Sequence, residues 1–163
     1  MTTSKYPSLH AQLRAAFPNE PIAAADAFTP WGATYLDAEP YAAHLDGKTW
    51  EQLDRAYLAQ RWDALGFLGT RQLAAVLPAY LLEMLEHPYT NLPGMVASVL
   101  TAPSKERKGL GKQRFAALLE ALAAPQRAVI ASALRQFARE HSDEDAVRIA
   151  LESSWDGFLP ADE

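Results

Sequence analysis

The chain has 163 residues, 49% of them hydrophobic, with a formal net charge of -5 and no cysteine. Length and composition suit one globular domain with a sizeable core. The missing cysteine excludes disulfides, thiolate metal sites and a cysteine nucleophile, and the negative charge argues against nucleic acid as the main partner.

In chain order, Ser8 to Phe17 reads as a short amphipathic helix with Leu9, Leu13 and Phe17 in line, ended by Pro18. The opening "MTTSKYPSLHAQ" has no apolar signal-like core, so a cytoplasmic protein is expected. Residues 18–48 are irregular, apart from a short helix from Glu39 to Leu45 that Gly47 ends. "TWEQLDRAYLAQRWDAL" is a stronger helix. Thr49 and Gln52 make a capping box, and Trp50, Leu53, Tyr57, Leu58, Trp62 and Leu65 form its buried stripe.

Thr70 is expected to cap the next helix, "RQLAAVLPAYLLEMLE", which carries Pro78 in its interior. An interior proline costs roughly 3 kcal/mol and frees the carbonyl four residues back, here Ala74. The spacing predicts a proline-broken central helix, with 71–77 and 78–86 at an angle. Tyr80 can offer its hydroxyl to a freed carbonyl. Everything around Pro78 is apolar, so Pro78 and Tyr80 are read as structural.

"HPYTNLPG" is a loop and "MVASVLTA" a short helix. Residues 101–112 form a basic loop. Helices follow over "QRFAALLEALA", "PQRAVIASALRQFAREH" and "DEDAVRIALESSW", the last capped by Ser142 and Asp145. Residues 158–163 are expected to fray. No alternating strand occurs, and no apolar run reaches a membrane span of roughly 18 to 20 residues. The fold expected is all-α: a single-domain helical bundle or orthogonal array over 1–163, with about six to eight helices.

"LPAYLLEMLE", preceded by a tryptophan-rich segment ending in "ALGFL", resembles a family of small bacterial all-helical domains of unknown function. The likeness extends from Trp50 to Trp155, through "FAALLEALAAPQRAVIASALRQF" and the closing "ALESSW". It departs at Ala75 and Val76, where aromatic residues are expected. The resemblance implies the helical fold but no reaction. By analogy, small acidic bacterial proteins of this kind look like immunity partners of secreted toxins.

Motifs for catalysis are missing. His10, His44, His87 and His141 lack metal-binding spacing, and "HLD" at 44–46 needs ligands from elsewhere. "SDED" lacks the pattern of a calcium loop. "KGLGK" resembles a phosphate loop, yet Glu106 and Gln113 stand where Gly and Ser or Thr are required. No serine elbow is present, and Glu51, Asp54 and Asp63 fit a solvated helix face. No metal or cofactor is expected.

Two groups are candidates for partner binding. Trp31, Tyr35, Asp37, Glu39, Tyr41 and Asp46 combine aromatic anchors with acids on a loop-rich segment. Lys105, Arg107, Lys108 and Lys112, with Arg114, put five of the fifteen basic residues within ten positions. The expected function is a non-catalytic protein-binding module, an immunity or adaptor protein whose partner is a protein such as a cognate toxin. The alternative is a small all-α hydrolase-like enzyme, its carboxylate and histidine site assembled only in three dimensions.

Overall fold

Helix α4 (Thr70–Glu86) is the axis of the molecule, and from Val76 to Leu85 every one of its residues is buried. A helix apolar on all sides must be surrounded, and α4 packs against α3 (Arg55–Gln60), α5 (Leu92–Leu100), α6 (Leu110–Ala121) and α7 (Ala124–Glu140). The chain opens with α1 (Pro7–Ala16), which lies on α7, and α2 (Ala38–Leu45); α8 (Asp145–Ala150) packs on α5 and α7. The computed structural model describes residues 5–28, 35–103 and 110–161. Among these residues there are eight α-helices and no strand, gathered round one hydrophobic core. The all-α architecture is as the periodicity predicts.

Helix α4 runs through Pro78 as one continuous element, so the expected break into two helices does not occur. Ala74, whose carbonyl loses its partner, is half-buried. It lines a small cleft of about 180 Å³ beside Pro21 and Arg71, so solvent space adjoins it. Tyr80 serves a different carbonyl. Its hydroxyl donates to Arg61 O at 3.2 Å.

The long helix expected from Thr49 to Leu65 is three pieces: a 3-10 turn over Trp50–Gln52, α3, and a second 3-10 turn over Trp62–Gly66. Asp54 causes the first restart. Its carboxylate accepts from the backbone N–H of Ala56 and Tyr57 at 3.0 and 3.2 Å, a new N-cap in mid-sequence. Gln52 still accepts from the Thr49 N–H at 2.9 Å, so one half of the expected capping box forms.

Gly69, not Thr70, precedes α4, and its N–H donates to Ala27 O at 2.6 Å. The Ser142 and Asp145 box does not form; Glu144 precedes α8, and Asp145 instead pairs with Arg148 at 2.6 Å. Gly47, at φ 73°, ends the α2 turn in a conformation that favours glycine. After α8 the helix widens to a π-turn over Leu151–Trp155. The Trp155 indole N–H then reaches Leu100 O at 2.6 Å in the core. Phe158 and Leu159 pack against that core, so the ordered chain runs further than the expected frayed tail.

Candidate functional site

An open cleft of about 1010 Å³ lies between the Trp62–Gly66 turn, α5, α6 and α8. Trp62, Phe67, Met95, Phe115 and Ile149 give it an apolar lining. The first four are half-buried and Ile149 is 49% exposed, so these side chains are part of the core at one end and accessible at the other. Gly94 lines the cleft from α5, and a Cβ added there would meet nothing within 4 Å.

Arg114 forms one wall. Its guanidinium donates to the carbonyls of Leu65, Gly66 and Leu68 at 2.5, 2.7 and 3.1 Å. These are carbonyls a continuous helix would have satisfied itself, so Arg114 acts as a cap supplied from α6. No carboxylate shares it among the described residues, and burial pulls its pKa below the usual arginine value. It stays charged at neutral pH.

Beyond Phe67 the lining turns polar. The Tyr35 ring stacks on Phe67 with centroids 5.0 Å apart, and its hydroxyl donates to Asp63 Oδ1 at 3.3 Å. Burial first, then the charges of Asp63 and Asp37, push the Tyr35 pKa up to about 12. Asp37 pairs with Arg61 at 2.9 Å. Two of the expected partner-binding residues, Tyr35 and Asp37, therefore belong to one cluster at the cleft's edge.

The other expected residues are scattered. Tyr41 is fully buried in the core, with its hydroxyl on Tyr80, and presents no surface to a partner. Glu39 is exposed on α2, and Asp46 accepts from the Ala24 N–H at 3.2 Å. Lys112 is exposed next to Gly111, which lines the cleft. Trp31, Lys105, Arg107 and Lys108 lie outside the described residues. Sequence reasoning placed Trp62 in a buried stripe and did not single out Phe67, Met95 or Phe115 as site residues. Arg114 had one signal: it is the basic residue of its stretch that lies beside an inward-facing helix position.

Histidine and acid pairs do occur, but each has a structural role. His87 Nδ1 sits 2.8 Å from Glu83, and burial holds the Glu83 carboxyl above its usual range, against the pull of His87 and Arg55. His10 is 3.4 Å from Glu51 in a cleft of about 370 Å³. Glu51 also accepts from Arg14 at 2.6 Å and Asn19 at 2.9 Å, so that carboxylate is already fully engaged. His44 stacks on Tyr57 at 3.9 Å, and burial lowers its pKa. Ser154 accepts from the Ala102 N–H at 2.9 Å, a loop tie. No group of three or more His, Asp or Glu placed to hold a metal ion occurs among the described residues.

Comparison with family models, curated proteins and solved structures gives no match. Among the described residues no single helix is long and apolar enough to cross a membrane. A bent pair, Gly111–Ala121 with Ala124–Glu140, meets the length and composition but turns by 116°.

Proposed function

We propose that this protein is a non-catalytic protein-binding module that acts by forming a stoichiometric complex, with neutralisation of a cognate toxin as the concrete form and an adaptor role as the broader one. The carrying observation is the cleft: half-buried tryptophan, phenylalanine and methionine side chains, with charged Asp63 and Arg114 at its walls. Aromatic and methionine side chains of this kind are what protein interfaces are built on. Arg114 has its donors turned to backbone carbonyls, and Asp63 takes a tyrosine hydroxyl, so neither is poised as a nucleophile or base.

The hydrolase-like alternative has its best geometric support in His10 and Glu51. There the carboxylate accepts from an arginine and an asparagine as well, which favours an ion-pair network over a general base.

The test is co-purification from cells of the native organism with wild-type protein and with Gly94→Gln. Gly94 lines the cleft, and a Cβ added there meets nothing within 4 Å. A dominant protein captured at one-to-one ratio by wild type and lost with Gly94→Gln supports the proposal. Capture of nothing, or equal capture by both proteins, contradicts it.

A further inference from the structure

A second groove, of about 820 Å³, lies on another side of the molecule between α1 and α7 and shares no lining residue with the cleft. Tyr6, just before α1, meets Glu140 at the end of α7, so the two helices run antiparallel. The groove has a charge gradient. At one end, Ala15, Ala16, Pro125 and Ala128 form a low apolar floor. At the other stand three cations, Lys5, Arg135 and Arg139, against one carboxylate, Glu140.

That carboxylate is already consumed. Glu140 accepts from the Tyr6 hydroxyl at 2.5 Å and from Gln136 at 2.5 Å, and Lys5 is 3.7 Å away. Arg139 is exposed and makes no ion pair among the described residues. Ser8, Gln12 and Ser132 also line the groove without a side-chain hydrogen bond among the described residues. A net acidic chain therefore carries one groove with three cations to one carboxylate, where Arg139 has no ion pair and three polar side chains are unused among the described residues. The dipole of α7 favours cations in its last turns, but it does not dictate that they face this groove.

We propose that the groove between α1 and α7 receives an acidic amphipathic helix from a partner protein. Small apolar side chains of that helix lie over Ala15 and Ala128, and its carboxylates meet Arg139 and Lys5. The mode is a helix laid into a groove, with charge complementarity setting its direction. It does not depend on what fills the Trp62 cleft.

The experiment is an NMR titration of the full chain with a capped helical peptide of alanine and glutamate, and with its alanine and lysine counterpart. The glutamate peptide is expected to shift the amides of Gln12, Ala15, Ala128, Ser132 and Arg139 and to bind more weakly as salt is raised. Arg139→Glu and Ala15→Trp each change an exposed position, and each is expected to weaken binding about tenfold or more with the helical circular dichroism unchanged. The inference is overturned by no shifts at saturating peptide, by equal binding of the lysine peptide, or by shifts confined to the cleft around Gly94. It is also overturned if Arg139→Glu binds as wild type does. A self-dimer in ultracentrifugation that Ala15→Trp abolishes overturns it too, in favour of a second copy as the occupant.

Discussion

The hydroxyls of Tyr41 and Tyr80 meet at 2.7 Å in the centre of the molecule, where both side chains are fully buried. Tyr80 also reaches Arg61 O at 3.2 Å, the carbonyl at the end of α3. The pair thus ties α2 and α4 to the point where the chain breaks its helix before the cleft. Buried polar pairs of this type are costly to disrupt because each orphaned group keeps its desolvation penalty.

Tyr80→Phe strands the buried Tyr41 hydroxyl and leaves the Arg61 carbonyl with the Ala64 N–H at 3.1 Å alone, and is expected to cost about 1 to 3 kcal/mol in urea unfolding. Tyr41→Phe leaves Tyr80 its bond to Arg61 and costs less. The double variant is less destabilised than the sum of the two, since neither orphan then remains on the other's account. Equal costs for the single variants, or strict additivity, would show that the hydroxyls do not act as a pair.

Arg114→Met removes three bonds to backbone carbonyls at once and is expected to lower stability by about 3 kcal/mol. Arg114→Lys recovers only part of this, because an ammonium lacks the planar fork that spans Leu65, Gly66 and Leu68. Full recovery with lysine would mean that charge, not geometry, caps the turn.

Two glutamates should respond to pH in opposite directions. Burial raises the Glu83 pKa above its reference of 4.5, so its contribution is fullest below 4.5 and is lost as pH rises through the folded value. Glu83→Gln is therefore expected to be no less stable than wild type at pH 7. The Tyr6 hydrogen bond lowers the Glu140 pKa below 4.5, so its contribution is present above that value and lost as pH falls through the folded one. Glu140→Gln should destabilise at pH 7 and converge on wild type in acid. Thermal unfolding scanned across pH checks both; matching profiles for the two variants would refute the assignment.

At the alkaline end, burial raises the pKa of Tyr35 to about 12 and moves Tyr41 and Tyr80 above the reference of 10.0. The stability these groups contribute is complete below pH 10 and is lost as pH climbs toward the folded values. The tyrosinate absorbance of Tyr35, Tyr41 and Tyr80 should therefore appear late and coincide with loss of helix. A tyrosine titration complete near pH 10 in the folded protein would contradict the buried network.

The helices were legible because their apolar stripes recur at helical spacing, as at Leu73, Val76, Leu77, Tyr80 and Leu81. Pro78 misled, because local chemistry argues for a break while packing on every side of α4 keeps one helix. The reverse happened between Thr49 and Leu65. There an uninterrupted stripe hides breaks that Asp54 starts locally and that Tyr80 and Arg114 stabilise from far along the chain. Tyr41 was mistaken for surface because its neighbours Glu39 and Pro40 are polar or irregular, although its own position faces the core. The cleft could not be read at all. Its walls come from four elements whose approach is set by tertiary packing, and Gly94 and Met95 carry no motif.

The central claim is that the Trp62 cleft is a protein-binding surface, and hydrogen exchange on the purified complex tests it most directly. The account predicts slowed exchange on complex formation in three segments lining the cleft: Trp62 to Phe67, Gly94 to Ala102, and Gly111 to Phe115. A complex that leaves all three unprotected, or that protects only α1 and α7, would contradict it.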